Sequence, residues 1–538
     1  MIATLPFGPG GLAFITLYLL SLLALGWWGR KARQTDTLKD FYLAGPGVGF
    51  AVLLLTLYAT QWSGNTLFGY TGKAYREGFS WLVSLHFMTG LVACYLLFAP
   101  WLHKLAKRHG FITPADYLMH RFNSRPLCLL AVIVMIIGVA NYLLAQLIAM
   151  GTAVEVMLTF DIAAGTIPDD PATRRLAYGA FVGGVILLVV IMLIYENLGG
   201  FRAVAWTDAI QGVILILGFL LMLGLVINKY GSPAKATTQL IQNAQQVEKE
   251  TAGDDSKMAV DKRKKAAKKI DPPSNTSSKL NWLSWILIVG LGGAMYPQAI
   301  QRIYAARNSR VLQRSLAVMV FLPLTATITA LFVGIIASTQ DLTLKNSEYL
   351  LPAVCRVVMD TPVGYWLVVV LTAAILAALM STADSVLLII SAMVTKDIYA
   401  RHINPAATEP QLTRLGKWVS AAVVLLMAMV AIGFYDHRDP NENILIVLLK
   451  LKFEMLVQLA PAFILGIHFK TLRSGPVIAG MAAGLAVALG LFLQRKFGTN
   501  PIDIHGLHEG VIGLMANLLV LTIAMRMGGT TSPLSRTK

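Results

Sequence analysis

Near the end of a long apolar stretch the chain reads Ala378, Leu379, Met380, Ser381, Thr382, Ala383, Asp384, Ser385, a knot of hydroxyls and one carboxylate. On a helix turning about 100° per residue, Ala378, Ser381, Thr382 and Ser385 share one face, and Asp384 points to its side. Two adjacent hydroxyls, with the backbone open beside small Ala378, suit a hard monovalent cation that seeks neutral oxygen ligands. Ser and Thr in membrane helices also hydrogen-bond their own backbone or a neighbouring helix. The segment alone leaves both uses open, so the elements that position it must decide.

Those elements are membrane spans. Of 538 residues, 56% are hydrophobic and only 14% charged, which excludes an ordinary soluble domain. By the rule of about 20 residues per crossing, about thirteen spans are expected. They fall near 11–28, 48–71, 80–100, 126–158, 177–195, 207–227, 282–300, 316–338, 364–394, 416–434, 444–466, 476–493 and 508–525. The first has neither a basic leading region nor a small-residue cleavage site and reads as a span, not a signal peptide.

Basic residues cluster in alternate short loops: Arg30, Lys31, Arg33 and Lys39; Lys104 through Arg125; Arg302, Arg307, Arg310 and Arg314; Lys396, Arg401, Arg414 and Lys417. Those loops are expected to be cytoplasmic, with the N-terminus outside and the tail carrying Arg536 and Lys538 inside. The net charge of +17 then reports topology, and no basic cluster interleaved with aromatics calls for nucleic acid. The polar stretch 229–280 carries Lys262, Arg263, Lys264, Lys265, Lys268 and Lys269, yet alternation places it outside. Long loops cross regardless of charge, and its composition predicts a disordered or partly helical insert, a solvated linker in the first reading and an element that touches anionic lipid or a partner in the other.

Three scattered cysteines build neither a disulfide frame nor a metal site, and the sequence shows no metal-ligand spacing, phosphate loop or nucleophile elbow. An enzyme is not expected. Two spans are instead built to break. The second carries Gln61, Trp62, Ser63, Gly64, Asn65 and Thr66; the seventh carries Gly290, Gly292, Gly293, Tyr296, Pro297 and Gln298. Interrupted helices at corresponding places in two halves point to a substrate and ion site near the membrane midplane.

Several ordered motifs resemble those of the sodium:solute symporters, which include proline, pantothenate and sugar symporters. They are Thr113-Pro114-Ala115-Asp116-Tyr117-Leu118 with Arg121 and Phe122, the glycine pair Gly199-Gly200 running on to Asp208 and Gln211, Pro297 through Arg302, and the hydroxyl knot followed by Lys396-Asp397-Ile398-Tyr399. The resemblance implies an all-α LeuT-type fold with two inverted five-helix repeats and alternating access. The organisation it implies is a first span and loop (1–47), a first repeat (48–228), the insert (229–280), a second repeat (281–469) and a C-terminal pair of spans with a tail (470–538).

Carried over residue by residue, the resemblance implies Na+ as coupling ion, held by the carbonyls of Ala59, Trp62 and Ala378 and the hydroxyls of Ser381 and Thr382. Asp208 would lie on the sodium's inward route. Gln61 stands where proline symporters place an Asp. Val289 and Gly293 replace two aromatics of the proline pocket, and Thr66 replaces a sugar-binding glutamine, whereas Tyr142, Pro297 and Glu454 match family positions. The expected solute pocket comprises Gln61, Asn65, Thr66, Tyr142, Gln146, Tyr296, Pro297, Gln298 and Glu454, with Gln458 beside them.

Lys450 and Glu454 sit one turn apart and are expected to form an ion pair at the outer mouth; an unpaired lysine in this span would favour a carboxylate substrate. The function expected is sodium-coupled symport of a small organic solute, an organic acid, amino acid or vitamin-like molecule. Contact with membrane lipid is expected and an obligate protein partner is not. Proton coupling through Asp208 or Glu454, or a solute sensor on the same fold, are the other readings.

Overall fold

The computed structural model describes residues 8–32, 37–45, 47–161, 166–271, 273–340, 344, 346–359, 361–438, 442–498 and 502–527. Arg33, Arg536 and Lys538 lie outside the described residues. Each of the thirteen expected apolar stretches falls on helix. Among the described residues ten helices are long and apolar enough to cross a membrane, or eleven with one bent pair counted as a span. The count is lower than expected because Phe50–Ala59 is short and Ile444–Leu456 runs into tight turns. A broken span does not present about 20 residues of one continuous helix.

Local chemistry sets the helix ends. Pro362–Ala392 starts with proline at its first turn, and the Thr361 hydroxyl accepts from the Gly364 N–H at 3.0 Å. It is apolar around its whole circumference and buried along most of its length, so it forms the centre of the bundle. Arg125–Thr159 starts likewise at Ser124 and Pro126. Its 35 residues extend about 50 Å, more than a bilayer core, so the helix must tilt or project.

Both spans expected to break do so. The second is helical over Phe50–Ala59, opens at residues 60–64, and resumes as wide-turn helix over Asn65–Tyr70. At Gly64 a Cβ would lie 2.4 Å from that of Ala149, so no side chain fits, and the freed Gly64 N–H donates to Gln146 Oε1 at 2.9 Å. The seventh is bent by 49° between Thr276–Ala294 and Pro297–Ala305. The glycine pair has a different reason. Gly200 has φ +57°, and a Cβ there would sit 2.6 Å from the Phe41 carbonyl oxygen, so it is the corner between Pro171–Ile194 and Gly199–Tyr230.

The short basic loops gather at one end of the bundle. There Asp116 accepts from the Ile112 and Thr113 N–H groups at 2.7 and 3.0 Å and pairs with Lys396 and, at 3.1 Å, Arg401. Burial opposes the Asp116 charge, but Lys396 and these donors outweigh it and hold its carboxyl below the usual range. The 229–280 insert lies at the opposite end as two helices, Pro233–Glu250 and Lys257–Ile270. Ser80 Oγ donates to the Lys268 carbonyl at 2.6 Å, docking it on the turn Gly78–Leu82. The insert is thus largely helical, the ordered limit of what its composition predicts.

One basic residue is not where the loop pattern puts it. Arg302, grouped above with the loop arginines, is fully buried on Pro297–Ala305. Loop charge patterns do not reveal that this arginine has a carboxylate waiting inside.

Candidate ion and solute site

At the break in the second span the Ala59 carbonyl accepts only a turn bond from the backbone, that of the Trp62 N–H at 3.3 Å, and the hydroxyl knot of Pro362–Ala392 faces the Ala59 and Trp62 carbonyls. Thr382 Oγ1 donates to the Trp62 carbonyl at 2.8 Å, and Ser381 Oγ to the Ala59 carbonyl at 3.1 Å and the Ala378 carbonyl at 3.4 Å. All five residues are fully buried. The face deduced from helical spacing is therefore the face that meets the break. Five neutral oxygens, three carbonyl and two hydroxyl, converge in a dry setting, a donor set that fits a sodium ion and would repel none of its charge.

Asp384 is buried off this face, 3.4 Å from Ser385 Oγ. One turn beyond the knot lies a charged latch. Arg302 meets Asp208 Oδ2 at 2.7 Å, Ser385 Oγ and Thr56 Oγ1 at 2.5 and 2.8 Å, and its own Gln298 carbonyl at 3.0 Å. Thr56 Oγ1 in turn donates to Asp208 Oδ2 at 2.5 Å. Both charged side chains are fully inaccessible. Asp208 is thus paired with Arg302 between the hydroxyl knot and the basic-loop end. Sequence reasoning found Asp208 and missed Arg302; their separation of 94 residues hides the pairing.

On the other side of the break Gln61, Ser63, Thr66, Tyr142, Tyr296 and Lys452, with Tyr70, Met88, Leu91, Leu449 and Phe453, line a narrow, tightly packed cavity. Tyr142 and Tyr296 stack with ring centres 5.5 Å apart and planes 5° from parallel. Of the expected pocket residues, Gln61, Thr66, Tyr142 and Tyr296 come together here.

The others are used differently. Asn65 ties the broken span to the Leu445 carbonyl. Gln146 holds the Gly64 N–H, Pro297 opens the second half of the seventh span, and Gln298 serves Arg302 through its carbonyl. Glu454 and Gln458 face the C-terminal pair. Lys450 reaches Glu454 at 3.5 Å, as expected, but meets Glu509 more closely at 2.7 Å, and Gln458 donates to the Gly510 carbonyl. Lys452 lies between Lys450 and Glu454 on another face of the helix; periodicity places it there without saying what that face meets.

A bundle of membrane helices with two broken spans, an ion-competent oxygen cluster at one break and a narrow polar and aromatic cavity beside it defines a secondary transporter. The profile of the sodium:solute symporter family matches residues 41–168 and 176–484. The chain belongs to that family: it is a multi-pass membrane protein that moves solute coupled to Na+. Among its relatives, sodium/proline symporter 2 of Staphylococcus saprophyticus subsp. saprophyticus is 24% identical, covering 94% of this chain and 90% of its own. The osmoregulated proline transporter OpuE of Bacillus subtilis is 23% identical, covering 95% and 94%. A solved substrate-bound, outward-open Na+-coupled sialic acid symporter superposes with a TM-score of 0.72 at 20% identity, covering 98% of this chain and all of its own, which shows the shared LeuT-like fold.

Proposed function

We propose that the coupling Na+ is held by the carbonyls of Ala59, Trp62 and Ala378 and the hydroxyls of Ser381 and Thr382, and that the solute binds next to it in the Tyr142–Tyr296 cavity. The observation that carries this is the pair of hydrogen bonds from Ser381 and Thr382 to the carbonyls of the broken span. These bonds tie the central helix to the break, and an ion coordinated by the same oxygens would tie them more strongly. Gln61 and Ser63 belong to the break and also line the cavity. Ordering the break by sodium therefore orders one wall of the solute site.

That shared wall is the coupling element. Sodium raises solute affinity and solute raises sodium affinity by the same factor. One charge entering across about 100 mV supplies roughly 2.3 kcal/mol to drive solute uphill, before the concentration term. On the inward path, the Arg302–Asp208 latch must open to release the ion, with Asp208 a transient carboxylate partner as it passes. The orientation consistent with the loop charges has the N-terminus and the insert outside, the latch towards the cytoplasm, and the C-terminal tail inside. The protein acts as a transporter with no chemical step of its own.

In proteoliposomes, the Ser381→Ala, Thr382→Ala double variant is expected to insert and fold but to lose sodium-dependent solute uptake and sodium-induced thermal stabilisation. Wild-type sodium dependence in that variant would remove the assignment.

A further inference from the structure

Lys452 lies in the wall of the cavity with 1% of its surface exposed. Its ammonium is 3.0 Å from the ring centre of Tyr142 and 5.1 and 5.0 Å from those of Tyr296 and Phe453. Among the described residues it makes no hydrogen bond and forms no ion pair. An ammonium has three strong donors and no acceptor. Aromatic faces recover only part of the hydration such a cation loses on burial, so an anionic group entering the cavity would gain a partner already stripped of water. Lys450, two residues away, shows the contrast: it has its carboxylates in Glu509 and Glu454.

Resting on the reading of this cavity as the solute site, we infer that Lys452 binds the carboxylate of the transported solute, and that the solute is a small monocarboxylate anion. Three features specify the class. The lining includes no Asp or Glu, so an amino acid's own ammonium would enter without a counter-charge. Gln61, Ser63 and Thr66 supply neutral donors on the wall formed by the break, fit for the second carboxylate oxygen or a hydroxyl. Tyr142, Tyr296, Met88 and Leu91 offer aromatic and apolar surface to a compact body.

The test is thermal unfolding of the purified full chain in detergent, with sodium or choline, against propionate, lactate, pyruvate, benzoate and nicotinate and the amides of the same acids. At least one acid is expected to raise Tm, more in sodium than in choline, with its amide inert. Lys452→Met is expected to weaken that acid by at least about 30-fold, as loss of one partner of a desolvated charge pair does, while sodium alone still raises Tm. Lys450→Met should leave the acid within about threefold.

Acid affinity unchanged within about threefold in Lys452→Met overturns the inference, as does a wild-type protein that responds to sodium but to none of the acids. If an acid stabilises the wild type through Lys452 equally in sodium and in choline, and sodium alone does nothing, the lysine assignment stands and the sodium site falls. The two readings thus fail separately.

Discussion

Two cations are buried on either side of the broken second span, and they are treated in opposite ways. Arg302 is saturated: a carboxylate, two hydroxyls and a carbonyl meet its planar fork. Among the described residues, Lys452 is held only by the faces of aromatic rings. A saturated buried charge has its partners within the protein and acts as a latch that opens only when those partners separate. A buried charge without an anion leaves part of its interaction to be completed by what enters. On the proposed reading the difference assigns closure to one side of the break and recognition to the other, with the proposed sodium ligands between.

The contrast breaks most sharply at the arginine. Arg302→Met is expected to cost about 3–5 kcal/mol, because it strands Asp208 without its counter-charge, and adding Asp208→Asn should restore most of the loss. Denaturant titration in mixed micelles measures both; equal losses in the single and double variants would show that the latch is not the source of the stability. The Ser381→Ala, Thr382→Ala pair comes next. Each hydroxyl bonded to a cation is worth about 1.5–3 kcal/mol, so the sodium concentration for half-maximal uptake should rise by at least about 100-fold.

At the basic-loop end, Asp116→Asn should cost about 2 kcal/mol at neutral pH, read from the same titration. The sign with pH follows from its direction. A carboxyl whose folded pKa lies below its unfolded value near 3.9 contributes its full stability above that value and loses it as pH falls through the folded pKa. The difference between wild type and Asp116→Asn should therefore be flat from pH 5 to 7 and shrink only in stronger acid.

The smallest effect carries the opposite sign. Without solute, Lys452→Met should leave stability unchanged or raise it by about 1 kcal/mol, since an apolar chain of similar length replaces a buried charge that has no anion. A loss comparable to that of Arg302→Met would show that Lys452 is structural and erase the comparison.

Much of this was legible in the residues. Helical periodicity is local, so Ala378, Ser381 and Thr382 could be put on one face without knowing what stood opposite. Glycine, proline and amides inside apolar runs likewise announced both broken spans, because a helix interrupted there needs small residues and alternative partners. The pocket was less legible. Asn65, Gln146 and Glu454 are polar residues within spans, and polarity alone does not distinguish a group that lines a cavity from one that holds a freed backbone group or a neighbouring helix.

The sequence by itself determined which stretches are helical, where two of them break, and which hydroxyls share a face, all consequences of interactions within a few residues. Only the tertiary structure decided that Arg302 belongs to Asp208, that Lys450 is claimed by Glu509, and that Lys452 faces Tyr142 without an anion. The physical reason is range. Propensity and periodicity act along one helix, whereas the partner of a buried charge is set by which helices pack together, and that follows from the shape of the whole bundle.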